Sequence, residues 1–465
     1  MWKLAFVALL LTGACSMNPK LDVPAAPVAQ AYPDAEAAEA ASVAGIDWKT
    51  MFGDPRLQRL IALALENNRD LRVTTLNVEA ARAQFRVARG AQFAQVDGTA
   101  SYARQRTSAA AATGGEATPG GVEFEQYTAS AALTSFEIDL FGRLRSQSQA
   151  AFERYLASDE GRRAARIALI GSVVDAYLDE RLAQEQLALT EQTLRDWTTS
   201  LDITQKRHAA RQASGLDLAQ AEGQVKQAEA DLAMRTRALG QARNALQLLL
   251  GAPLPADLPA PVALMEQPIK TMLAAGLPSD LLRNRPDIRQ AEHELVAANA
   301  DVGGARAAFF PRLSLTAMFG FTSLALDGLF DGGNRTWSFS PQITQPIFRG
   351  GSLSGELRLA EVRKSIAVAQ YERAIQAAFR EVADGLAGRA TFTRQSDAQR
   401  QAAAAAARRV ALSTLRYRAG LDSRLELLDA QRSDYVARQA LLDLRRQELS
   451  SAAGLYRALG GGDET

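Results

Sequence analysis

The sequence predicts a mainly α chain carrying short β-hairpins and built from two copies of one unit. Three observations carry that expectation. Two proline-free tracts, residues 120–252 and 347–465, are dominated by Ala, Leu, Gln, Glu and Arg, all good helix formers. Within them apolar residues recur every seven positions: Leu421, Leu428, Tyr435, Leu442, Leu449 and Tyr456 in one tract, Leu218, Val225, Leu232, Leu239 and Leu246 in the other. Finally, an offset of 209 lays the later tract on the earlier one, with Arg416 on Arg207, Ser423 on Ser214, Leu425 on Leu216, Ala430 on Ala221 and Leu459-Gly460 on Leu250-Gly251.

A sustained seven-residue repeat stays in register only when helices pack as in a coiled coil. A continuous helix from Leu144 to His208 would be roughly 100 Å long at 1.5 Å per residue. No compact domain core has that length. The 465 residues are 47% hydrophobic, and 53 basic residues balance 52 acidic ones, which removes the general electrostatic case for a nucleic-acid partner.

The chain opens with Lys3, an apolar run from Leu4 to Leu11, and small residues before its single cysteine, Cys15. That run falls far short of the ~20 residues of a spanning helix and reads as a secretory signal, residues 1–14. "TGAC" resembles the bacterial lipoprotein processing box, with Thr12 where Leu is usual, and so implies that Cys15 becomes an acylated first residue. A buried free cysteine, or a signal cut elsewhere, is the alternative. Residues 15–45, rich in Pro and Ala, are expected to form a surface-hugging or mobile tether.

The remainder divides into a first repeat (46–252), a linker (253–278), a second repeat (279–460) and a tail (461–465). Four segments alternate apolar and polar residues, the mark of strands with one face of each kind. They are expected at about 93–106, 124–141, 311–322 and 335–349, paired as hairpins around "TSAAAATGGEATPGG" and "LDGLFDGGN". Each half thus reads helix, hairpin, long helix, turn, helix. Ala94 opposite Pro311 and Arg211 opposite Gly420 are the places where the first copy is expected to differ.

Four two-faced strands cannot enclose anything, because closed barrels begin at about eight strands and an open sheet in lipid leaves unsatisfied edges. Three chains would supply twelve strands and twelve long helical segments. The expected assembly is a homotrimeric tube with a membrane end. A soluble coiled coil capped by hairpins is the competing reading.

The blocks "LENNRDLRVTTLNVEAARAQFRVAR", "EIDLFGRLRS", "AAGLPSDLLRNRPDI", "AANADVGGARAAFFPRLSLTA", "PIFRGGSL" and "YRAGLDSRLELLDAQR" resemble the TolC superfamily of outer-membrane efflux channels, in its OprM-like lipoprotein branch. The resemblance covers essentially the whole mature chain. It implies a 12-stranded outer-membrane β-barrel continuous with a 12-helix periplasmic α-barrel. It also implies a passive duct for drugs and other small molecules, fed by a proton-driven RND transporter of the inner membrane through a periplasmic adaptor. Protein cargo, as in type I secretion relatives, and a pore-less lipoprotein scaffold are the alternatives. No P-loop or metal-spaced cluster is present, the only imidazoles are His208 and His293, and neither an enzyme nor a cofactor is expected.

In a helix Leu425 and Asp429 lie four apart and Glu426 and Asp429 three apart, so they share a face just past the turn. Threefold symmetry would make Leu425 an apolar collar and Asp429 a cation-favouring carboxylate ring. The first copy has Leu216, Asp217 and Gln220 at these places, so the acid at 429 belongs to one repeat. The resemblance places the periplasmic gate at the matching Leu and Asp, and implies a latch at Tyr417 and Arg418. The adaptor is expected at the exposed tips, Ser214, Gly215, Gly420 and Leu421.

Overall fold

A computed structural model describes residues 16–29, 31–32, 46–107, 122–273, 280, 282 and 284–461. Cys15 and the first hairpin's loop lie outside them. The first half contains α1 (Trp48–Met51), α2 (Pro55–Asn67), α3 (Arg69–Gly90), β1 (Val96–Thr107), β2 (Val122–Ile138), α4 (Arg143–Ala209) and α5 (Gly215–Leu250). The second contains α6 (Pro286–Ala307), β3 (Arg312–Ser323), β4 (Arg335–Thr344), α7 (Ser352–Arg418) and α8 (Arg424–Ala458). The duplication reaches the helix ends. The offset from α3 to α6 is 217 residues at both ends, and from α4 to α7 it is 209 at both ends. The change of offset falls in the hairpins between them.

The chain forms two compact units, one gathering residues 1–24, 78–157 and 291–370 in their described parts, the other 25–77, 158–290 and 371–465 likewise. The first unit holds the sheet, an antiparallel meander in the order β1-β2-β3-β4. Its register aligns apolar residues in cross-strand rows on one face: Val96, Leu133, Ala317 and Phe339, then Gly98, Ala131, Phe319 and Trp337. Phe136, Leu315 and Pro341 extend that face toward the helices, as do Ile138, Leu313 and Ile343. The other face is polar, with the Thr99 and Ser130 hydroxyls 3.0 Å apart and Thr134 donating to Asp97 at 3.2 Å.

One irregularity keeps the faces separate. Leu133 and Phe136 are an odd number of residues apart, which in a regular strand would turn one of them over. Between them β2 carries three steps against two on β3, with Ser135 at φ 53°, and this bulge returns Phe136 to the apolar face.

Strand ends differ from expectation for local reasons. The Phe93 amide donates to Gly90 O at 3.0 Å, continuing the helix end, so β1 begins at Val96. β2 stops at Ile138 because Asp139 turns to accept from the Arg145 amide at 2.9 Å. β4 stops at Thr344, two residues before Pro346, which has no amide to continue a ladder. No helix among the described residues is long and apolar enough to cross a membrane.

The second unit has its core where α1, α2 and the linker meet the later helices. Met51, Phe52, Leu57, Leu60 and Ile61 are fully buried, and the Phe52 and Tyr456 rings meet edge on at 5.6 Å. Buried Asp54 caps α2 and accepts from Tyr177 at 2.6 Å and from Gln267 at 3.0 Å. Burial and that carboxylate push the Tyr177 phenol far above its ordinary value, so it stays a donor. The linker is firmly attached: Leu264, Gln267 and Ile269 are buried and Ile269 bridges Phe52. Arg285 binds Asp287 in two places, Glu381 at 2.8 Å and the Ala458 carbonyl at 2.9 Å, tying α6, α7 and α8 together.

Candidate gate at the paired helical turns

Both long helices end in the same turn. Ala210 donates to Lys206 O, Arg211 to His208 O and Gln212 to Arg207 O, while Ala419, Gly420 and Leu421 repeat the pattern on Leu415, Tyr417 and Arg416. The left-handed position is Arg211 (φ 57°) in one and Gly420 (φ 73°) in the other. The expected difference in the first copy's turn is therefore corrected. The chain tolerates a side chain in a region that disfavours it by roughly 1 kcal/mol, and the fold is kept.

Each turn is followed by a serine cap. Ser214 and Asp217 close a full capping box, and the Ser214 hydroxyl and amide hold the Asp217 carboxyl below the usual carboxylate range. Ser423 accepts from the Glu426 amide, but the Glu426 side chain turns away to Arg409 at 2.7 Å.

Asp429 also accepts from Arg409, at 2.9 Å, and from Arg432, at 2.8 Å. Arg409 and then Arg432 hold its carboxyl below its ordinary value. Within each chain the Asp429 carboxylate is therefore ion-paired. Glu426 and Asp429 face two guanidiniums, because α7 runs back alongside α8 and brings Arg409 opposite them. Leu425 remains 61% exposed, bordering an open groove with Trp197 and Tyr435.

Tyr417 is engaged and Arg418 is not. The Tyr417 hydroxyl accepts from Arg207 at 2.8 Å, a contact between the two copies, and the Arg207 and Arg424 guanidiniums both lie over its ring, 5.4 and 5.7 Å from the centroid. Arg418 is exposed, its side chain making no hydrogen bond or ion pair to any described residue. Arg424, 6% exposed, donates to Ser200 at 2.7 Å. Burial lowers its proton affinity and Tyr417 partly restores it. The tips Ser214, Gly215, Gly420 and Leu421 are all exposed.

Residue pattern alone does not single out Arg207, Arg409, Arg424 or Arg432. The repeat alignment does hold a signal for one of them. Asp422 follows Arg416 and binds it at 2.9 and 3.0 Å, whereas Ala213 stands at the matching place after Arg207 and leaves that guanidinium for Tyr417. The His208 ring contacts the Ala213 carbonyl at 3.0 Å and His293 pairs with Glu153 at 2.7 Å. Among the described residues no group of three or more His, Cys, Asp or Glu could hold a metal ion. The arrangement can hold or release a contact between helices.

The outer membrane efflux protein family matches residues 60–252 and 277–461. The chain is 45% identical to the probable efflux pump outer membrane protein TtgC of Pseudomonas putida over 464 residues, 99% of this chain and 95% of the relative. It is 45% identical to outer membrane protein OprJ of Pseudomonas aeruginosa over 460 residues, 98% and 95% of the two chains. The open-state outer membrane channel MtrE of Neisseria gonorrhoeae superposes with a TM-score of 0.87 at 38% identity, covering 96% of this chain and 98% of that one. The chain belongs to the outer membrane efflux protein family and is the outer-membrane channel component of a tripartite efflux pump, with the fold of the trimeric channels that join a membrane β-barrel to a periplasmic helical barrel.

Proposed function

We propose that three copies of this chain form a passive exit duct for drugs and other small amphiphilic molecules, closed at its periplasmic end by the α7–α8 turn of each copy. The observation that carries the duct is the sheet. An apolar face aligned row by row, a polar opposite face and two open edges suit a segment of a closed barrel, with lipid outside and water within. Trp337 and Ile343 on the apolar face are 73% and 71% exposed in the single chain. Relatives are named toluene, solvent and antibiotic efflux pump proteins, which favours small amphiphiles over protein cargo.

The gate reading assigns Leu425 the apolar collar. Asp429 and Glu426 brace α8 on α7, and Tyr417 latches the second copy to Arg207 of the first. Transport is driven elsewhere, by an inner-membrane RND transporter acting through a periplasmic adaptor that grips Ser214, Gly215, Gly420 and Leu421. The chain itself is not an enzyme and uses no cofactor. Cys15 carries the lipid anchor in this reading.

Planar-bilayer recording of the purified trimer tests it. The expected result is a low resting conductance that rises when Leu425 is replaced by Ala, together with crosslinking of Leu421→Cys to the adaptor. A correctly assembled trimer whose conductance ignores Leu425→Ala would place the gate elsewhere.

A further inference from the structure

The N-terminal segment does not hang free. Asn18 donates through its amide to Gln149 Oε1 at 2.8 Å and accepts from the Ser146 hydroxyl at 2.8 Å, while the Pro19 carbonyl accepts from Asn299 at 2.9 Å. Ser146 and Asn299 are buried. Against this knot lies Gly303 of α6, where an added Cβ would stand 1.7 Å from Asn18 Oδ1 and 2.9 Å from its Cα. Rotating the Asn18 side chain could relieve the first clash but not the second, so only glycine leaves room for the strap. The neighbouring Gly304 is different: the nearest atom to its Cβ would be 3.8 Å away, an ordinary contact.

The place in the fold gives the knot its meaning. Ser146 lies in the first turn of α4, eight residues after β2 ends, and Gly303 lies one turn before the end of α6, which leads into β3. Both are at the foot of the sheet.

We propose that Ser146, Gln149, Asn299 and Gly303 form a binding site for the chain's own N-terminal strap, a clasp that closes on Asn18 and fixes the level at which the N-terminus meets the membrane. Position 15 is three residues from Asn18, at most about 10 Å of extended chain. The positional consequence rests on the reading of Cys15 as the acylated residue. Acyl chains leashed so tightly would enter the bilayer beside the barrel's periplasmic rim, where the Phe141 and Phe310 rings stack at 4.7 Å and Ile347 and Phe348 are exposed. The clasp makes the anchor part of the barrel's seating instead of a loose tether.

Lys20, exposed and two residues past Asn18, provides the readout. Trypsin cleavage there on the full-length trimer purified in detergent, where the periplasmic face is accessible, follows the population of the opened strap. Gly303→Ala should speed this cut at least roughly tenfold and Gly304→Ala should leave it unchanged, although both add the same methyl to one helix. Asn18→Ala, which leaves the sequence of the helices and strands untouched, should speed the cut as Gly303→Ala does. Unchanged cleavage in Asn18→Ala overturns the clasp. Mass spectrometry of the released peptide separates the two ideas: a fast cut in the variants yielding a peptide without acyl mass keeps the clasp and refutes the anchor at Cys15.

Discussion

The two helical turns share a backbone and differ in wiring. Residues 206–214 and 415–423 make matching hydrogen bonds around a left-handed residue, then a serine cap. In the second copy the turn's carboxylates are paired inside their own hairpin: Asp422 with Arg416, and Glu426 and Asp429 with Arg409. In the first copy Asp217 is consumed by its capping box, Ala213 offers no carboxylate, and Arg207 reaches across to Tyr417. Ser200, at the place of Arg409, takes the hydrogen bond of Arg424 from the other copy. Duplication therefore produced a second hairpin whose carboxylates are self-contained, joined to the first by hydrogen bonds that run both ways, Arg207 to Tyr417 and Arg424 to Ser200. The difference teaches where a releasable joint can sit. The cross-copy contacts are the candidates, because breaking them leaves both turns intact.

The largest effect should come from removing the cross-copy donor. A hydrogen bond to a charged group contributes about 1.5–3 kcal/mol, so Arg207→Ala should move the open-to-closed ratio by roughly tenfold or more per chain, read as single-channel conductance. Ala213→Asp sharpens the comparison, since it gives Arg207 the partner that Arg416 already has. It should open the channel in the same direction by a smaller factor, with the helical content unchanged by circular dichroism. If both variants keep wild-type conductance, Tyr417 is a packing residue and no latch.

A second, smaller contrast concerns pH. Arg409 and Arg432 hold the Asp429 carboxyl below its ordinary value, and Arg416 does the same for Asp422. A group with a depressed native value contributes its pairing in full above the unfolded value, about 3.9 for Asp, and loses it as pH falls through the native one. Conductance should thus stay level from pH 7 to 5 and rise only below about pH 4. In Arg409→Ala the rise should begin at higher pH, because the largest cause of the depression is gone. A midpoint near pH 6 in the wild type would mean that another group controls opening.

Much of the fold is legible in the order of the residues. Heptads mark the helices: Val225, Leu239, Leu246, Leu428 and Leu449 are buried along the expected stripes. Alternation marks the strands, because period two has only one physical meaning in a segment of that length. The bulge at Ser135 is hidden, since its sign is a broken alternation between Leu133 and Phe136 that looks like noise until β3 fixes the register. The ion pairs of the turns are hidden for a related reason. Arg409 and Asp429 are twenty residues apart, and Arg207 and Tyr417 are 210 apart, so they meet only through the phase of antiparallel helices. The Asn18 clasp has no local signal at all, because Gly303 reads as an unfavourable residue in a helix until its neighbour is known.

The smallest effect tests whether the turns are the same in energy as well as in shape. Arg211 and Gly420 hold equivalent positive φ values, 57° and 73°. A side chain there costs roughly 1 kcal/mol in the folded state, while glycine adds unfolded-state entropy of about 0.4–1 kcal/mol. Arg211→Gly should therefore be nearly neutral, within about 0.5 kcal/mol, as the two terms oppose. Gly420→Ala has nothing within 4 Å of the new Cβ, so its cost should be the backbone term alone, less the entropy gain, and again near zero. Both variants should keep a thermal midpoint within a few degrees of wild type and an unchanged conductance. A Gly420→Ala midpoint lowered by ten degrees or more would show that the second turn is held more tightly than the first, and that the self-contained hairpin, not the cross-copy joint, is where the structure resists opening.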